Sequence, residues 1–206
     1  FGPGANILKA AETVLDAIES RVDQVSDTIE EKGRMDKGDY IHLRNKYMPE
    51  DLRHIFVFES PPSSGSYFYD ETGDKSEQFF SVLMKFLNFM PTNKREGLEY
   101  FARCGYLLVD ATYEPINDIK GNLDRGRKLL TAVPALIADL ESVDPAKKAP
   151  LILVKKSVCM FLEPLLKQAG FNVLNNGVIL PFPVPYQQKR FFELIAQLHA
   201  PNQPHA

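Results

Sequence analysis

Cysteine is scarce in this chain, an excess of basic residues is absent, and no apolar run approaches the length of a membrane span. Only Cys104 and Cys159 occur among 206 residues, each beside an apolar stretch where a small buried thiol is the ordinary role. Their number and spacing suggest neither a disulfide framework nor a metal site, and a reducing, intracellular setting follows as the expectation. The formal net charge of -3 and the pI near 5.9 argue against a protein that coats nucleic acid nonspecifically, because such binding rests on many lysine and arginine contacts to phosphate. A local basic face remains compatible with that balance. No stretch supplies the roughly 20 apolar residues that a spanning helix needs, and the start at Phe1 carries neither a charged leader nor the apolar core of a signal peptide. The expectation is a cytoplasmic or otherwise intracellular monomer that uses no metal and no cofactor.

With 44% hydrophobic residues the chain can build one substantial core, and it falls short of two full-sized domains. From Ala5 to about Lys32, the residues Ile7, Ala11, Val14, Ile18, Val22, Val25 and Ile29 recur at steps of three and four, one face of a long helix. Residues 1–50 are therefore expected to form a helical extension packed on a core domain of residues 51–206. In that domain, short apolar runs alternate with longer stretches of helical periodicity. The runs are His54 to Glu59, Tyr106 to Asp110, Pro150 to Val154 and Val178 to Pro181. The stretches are roughly Ser76 to Met90, Lys120 to Leu140, Ser157 to Gln168 and Gln188 to Leu198. Strands covered on both faces by crossover helices read as continuous apolar runs, so the pattern predicts an α/β fold: a three-layer α/β/α sandwich around a four-stranded parallel sheet. Ligands of such sheets bind beyond the carboxyl ends of the strands.

Those four ends carry the chemistry. The first reads Phe58-Glu59-Ser60-Pro61-Pro62-Ser63-Ser64-Gly65, followed by Ser66-Tyr67-Phe68-Tyr69. Two prolines stiffen the turn, and the serines and glycine let backbone approach a ligand closely. Glu59, where a buried strand meets solvent, suits a general base, although a glutamate that merely braces the turn would look the same. The aromatic trio can be core or can stack on a planar ring. The second end, Asp110-Ala111-Thr112-Tyr113-Glu114-Pro115, adds a carboxylate that either contacts a ligand or caps a turn. The third offers Lys155, Lys156 and Ser157 at a helix start, suited to phosphate oxygens, with solvated lysines as the plain alternative. The fourth, Pro181-Phe182-Pro183-Val184-Pro185-Tyr186-Gln187-Gln188-Lys189-Arg190, is a proline-stiffened loop presenting aromatics, amides and cations. Such equipment fits entry into a groove of a duplex.

Taken in order, the four ends resemble the motifs of the uracil-DNA glycosylase superfamily, over about Arg53 to Leu198. Phe58-Glu59-Ser60-Pro61-Pro62 is similar to that family's first motif, of the type G-E-A-P-G, with Glu59 in the acidic position and Pro61 on the shared proline. Tyr67 or Phe68 resembles the aromatic residue that stacks on a flipped base. Leu107-Leu108-Val109-Asp110 looks like the strand that ends L-L-N, with aspartate replacing the base-reading asparagine. Phe182-Pro183-Val184 and Pro185 to Arg190 are similar to the H-P-S motif and its minor-groove loop. Here Phe182 stands where the family carries histidine or asparagine, and Val184 replaces the serine. Loss of a transition-state donor of that kind costs around 2.7 to 4 kcal/mol, so another group must compensate.

The resemblance implies a DNA glycosylase with Glu59 as the catalytic acid-base residue and a base site formed by Ser60, Pro61, Tyr67, Phe68, Asp110 and Phe182. It implies DNA contacts from Ser63, Lys155, Lys156, Ser157, Pro185, Tyr186, Gln187, Gln188, Lys189 and Arg190. Its partner is DNA bearing a damaged or deaminated base, uracil foremost. Two other readings stay open: a hydrolase of small nucleosides or nucleotides, with Ser63 and Ser64 on a phosphate, and a noncatalytic member that binds DNA or a partner protein.

Overall fold

The computed structural model describes residues 35–199, and the chain divides into compact units at Met35 and Asp36. The long amphipathic helix expected from Ala5 to Lys32 lies outside the described residues. The unit that starts at Asp36 also contains a stretch expected in the extension, because α1 (Lys37–Asn45) belongs to it. There Asp36 and Asp39 cap each other's backbone N–H groups, a reciprocal capping box.

Three strands form the sheet: β1 (His54–Phe58), β2 (Tyr106–Asp110) and β3 (Leu151–Leu153), all parallel, in the order β2-β1-β3. Ile55, Phe56, Val57, Leu107, Val109 and Leu151 to Leu153 have no exposed surface, as continuous apolar runs between helical layers require. Full burial of one such side chain is worth roughly 1.5–3 kcal/mol. The helices are α2 (Gln78–Phe86), α3 (Lys94–Arg103), α4 (Asn122–Val143), α5 (Lys156–Gln168) and α6 (Gln188–His199), the last entered through a short 3-10 turn, Pro185–Gln187. Phe56 of β1 meets Phe86 of α2 and Phe101 of α3. Helices α4 and α5 pack together closely enough that the Gly126 backbone lies against the Phe161 ring, where an added Cβ would come within 2.4 Å of it.

The α/β class and the parallel sheet are present, but the expected fourth strand is not. Val178 to Pro181 contributes one bridge, Leu180 to Val154, with Lys155 N donating to Leu180 O at 2.8 Å. The reason is the side chain of Asn175, which is fully buried. Its Oδ1 accepts from Leu153 N at 2.7 Å, and its Nδ2 donates to Leu153 O and to Val178 O, both at 3.0 Å. The amide thus takes the backbone groups that a fourth strand would have used. Prolines 181, 183 and 185 then withhold further donors.

Candidate functional site

The register fixes which residues meet. Phe58 pairs with Asp110 and Val57 with Leu153, so Glu59, Asp110 and Lys155 emerge side by side at the carboxyl edge. They line a cavity of about 930 Å³. Of the expected residues, this cavity also gathers Ser60, Pro61, Tyr67, Phe68, Lys156, Phe182, Tyr186 and Gln187. The turn after β1 is pinned to the loop after β2. Ser63 N donates to Asn117 Oδ1 at 3.1 Å, Asn117 Nδ2 donates to Ser63 Oγ at 2.9 Å, and Ile116 N donates to Ser60 Oγ at 3.2 Å.

Glu59 is 4% exposed, and each of its oxygens has a partner. Lys155 Nζ donates to Oε2 and Ser157 Oγ donates to Oε1, so the carboxylate is held in a fixed orientation at the cavity wall. Ser157 is buried, lies outside the cavity lining and commits its hydroxyl to Glu59. Lys155 has φ 84° and ψ 141°. Side chains of L-residues rarely adopt that region, and holding one there costs of order 1–3 kcal/mol. The bond from its N–H to Leu180 O and the start of α5 on its carbonyl, which accepts from Cys159 N at 3.0 Å, impose that conformation.

Asp110 is the opposite case. It is 4% exposed, and its Oδ2 is buried with no hydrogen-bond partner. Burial pushes its carboxyl up to about 8; the nearby Arg44 guanidinium opposes the shift and Asp139 adds to it. At neutral pH the group is therefore mostly a neutral acid, able to donate as well as accept. Arg44 is itself buried, bidentate on Asp139 at 2.7 and 3.0 Å, with Tyr113 Oη donating to Asp139 at 2.9 Å.

The aromatic wall differs from expectation in detail. Tyr67 and Tyr69 are core residues: the Tyr67 hydroxyl donates to Tyr40 O at 3.4 Å, and Tyr69 Oη accepts from Leu108 N at 2.7 Å. The sequence reading missed Phe79, whose ring lies 4.2 Å from that of Phe58 and stacks at 5.6 Å on Phe182. It missed Gln78 too, whose amide donates to Pro183 O at 3.2 Å and so ties the last loop to α2. Phe79 and Phe80 are adjacent on α2: Phe80 is buried, and the half-buried Phe79 lines the cavity. Phe182 thus serves as apolar wall.

Pro185, Gln188, Lys189 and Arg190 lie outside the cavity lining, on the 3-10 turn and the start of α6, where Pro185, Lys189 and Arg190 are exposed. Tyr186 is 84% exposed at the cavity rim. No helix among the described residues is long and apolar enough to cross a membrane, and none of their His, Cys, Asp and Glu side chains form a group of three able to hold a metal. Comparison with known protein families, curated proteins and solved structures finds no match to this chain.

Proposed function

We propose that the protein is a DNA glycosylase that takes a damaged or deaminated base, uracil foremost, into the cavity at the sheet edge and hydrolyses its N-glycosidic bond. The observation that carries this reading is the pairing of Asp110, buried and unpartnered, with Glu59, ionically held, on neighbouring strand ends of one aromatic-walled cavity. A nucleobase is flat and apolar on its faces and polar on its edge, which is the complement of that cavity. The rings of Phe68, Phe79 and Phe182 supply apolar surface, and the neutral Asp110 acid offers a donor and an acceptor to a lactam edge such as that of uracil.

Glu59 takes a proton from water as the water oxygen bonds to C1′. The C1′–N bond breaks with its electron pair passing to the base. The departing anion needs positive charge, which Phe182 cannot give, and Lys156 at the cavity wall supplies it. Tyr186 and the cations Lys189 and Arg190 form an exposed edge suited to the duplex.

Oligonucleotides bearing uracil, hypoxanthine, xanthine or mismatched thymine, incubated with the protein and then cleaved by alkali at abasic sites, test reaction and lesion together. Glu59→Gln is expected to slow single-turnover base release by about a hundred- to ten-thousand-fold, with lesion binding largely kept. An unchanged rate in that variant removes Glu59 from the role. Release from free nucleosides alone would select the small-substrate hydrolase, and tight lesion binding without release the noncatalytic reading.

A further inference from the structure

The contact between Lys155 and Glu59 serves no purpose in water activation that a hydroxyl could not serve, and it is built at the expense of a backbone conformation rare for lysine. A strained residue at a cavity wall directs attention to its side chain. Lys155 is 26% exposed, lines the cavity, and places its amine directly on a carboxylate oxygen whose twin is fixed by Ser157. An amine with a proton acceptor in contact, facing a largely apolar cavity, is the equipment for imine chemistry on a carbonyl.

We propose that Lys155 is the nucleophile of a second activity, strand cleavage at abasic sites. This goes beyond base release, and rests on the glycosylase reading only in taking DNA as the substrate. The abasic deoxyribose left by base loss opens to an aldehyde at C1′. Lys155 Nζ passes one proton to Glu59 Oε2 and adds to C1′, forming an N–C bond as the C1′–O π pair moves to the oxygen, which takes a second proton from the same nitrogen. Glu59 returns its proton to the hydroxyl of this carbinolamine, water leaves, and the nitrogen lone pair closes the protonated imine. Glu59, again a carboxylate, takes a proton from C2′, the C–H pair forms the C2′–C3′ double bond, the C3′–O bond breaks with its electron pair, and the 3′ phosphate departs. Hydrolysis of the imine returns the lysine. No oxidant, reductant or metal enters the balance. The same Glu59 serves both steps in turn, first as acceptor from water and then as acceptor from Lys155, which accounts for one carboxylate held by both a hydroxyl and an amine.

The test uses the full chain and an oligonucleotide carrying a preformed abasic site, so base release is bypassed. Borohydride reduces an imine to a stable amine, and the wild type is expected to give a covalent protein–DNA adduct that peptide mapping places on Lys155. Without borohydride, the strand is expected to break on the 3′ side of the site. Lys155→Ala and Lys155→Arg should both lose the adduct; arginine keeps the positive charge beside Glu59, so its loss would report the amine and not the fold. Lys85→Ala, at an exposed lysine of α2 outside the cavity lining, should still trap. Absence of an adduct in the wild type, mapping to another amine, or undiminished trapping in Lys155→Arg overturns the proposal. Base release from uracil DNA, measured in parallel, separates the two readings: release without trapping leaves a monofunctional glycosylase, and trapping without release leaves a lyase alone.

Discussion

Asp110 combines full burial, an unpartnered oxygen and a carboxyl that titrates far above its ordinary range, and these are one fact seen three ways. The folded protein holds the proton up to about pH 8, whereas the unfolded chain releases it near its ordinary 3.8. Between those values the native state binds more protons than the unfolded state, so this residue's contribution to stability is full below about 3.8 and is lost progressively as pH rises through about 8. Each unit of that window is worth about 1.4 kcal/mol. Asp110→Asn keeps the shape and removes the titration. It should flatten the fall in stability across the window and raise stability at neutral pH, as read from urea midpoints of both proteins at several pH values. An unaltered slope in Asp110→Asn would assign the pH dependence elsewhere. His54, at the other end of the sheet, is pushed down to about 4 by burial and by His199, so its change of charge lies at the acid edge of that window.

The elements show which physical signals reach the sequence and which do not. Continuous apolar runs located β1, β2 and β3 within a residue or so, because full burial on both faces leaves no room for a polar position. The carboxyl ends of those strands accordingly located Glu59, Asp110 and Lys155. What escaped were the pairings around them: that Ser157 turns inward to Glu59, that Arg44 reaches Asp139 across 95 residues of chain, and that Phe79 joins Phe182. Such pairings depend on side-chain reach between distant segments, which periodicity does not encode. Helix α3 carried a readable start, Asn93 capping Glu96 N at 2.9 Å, in a segment whose apolar positions are few. The fourth strand was misread because Val178 to Leu180 is apolar enough, while the deciding residue, Asn175, precedes it and acts through its side chain. Asn175→Ala would leave Leu153 N–H and two carbonyls without their bonds in the interior. At about 1–3 kcal/mol for an unsatisfied buried group, the variant should lose at least that much in a urea titration, and Asn175→Asp, which cannot donate to the carbonyls, should fare no better. Retention of wild-type stability would mean that the segment re-pairs as a true strand.

Across the whole molecule the cavity is held from behind. The ion pair between Arg44 of α1 and Asp139 of α4 is almost wholly buried, and Tyr113 hydrogen-bonds to both partners. Tyr113 belongs to the loop after β2, the same loop whose Asn117 and Ile116 fix the turn carrying Glu59. A chain of bonds therefore runs from the α1–α4 pair through one loop to the cavity wall. Removing one buried partner leaves a charge without compensation, at roughly 3–5 kcal/mol, whereas replacing both with apolar residues of similar size is often neutral. Arg44→Met should thus destabilise the protein by that order, and Arg44→Met with Asp139→Leu should recover most of the loss. If the pair served stability alone, the double variant would regain both folding and the lesion binding proposed above. The route through Tyr113 predicts otherwise: with Asp139 gone the tyrosine loses its acceptor, the loop after β2 loosens, and lesion binding stays weaker than wild type although the urea midpoint returns. Equilibrium unfolding and fluorescence anisotropy with lesion-bearing DNA, measured on the same three proteins, separate the two outcomes.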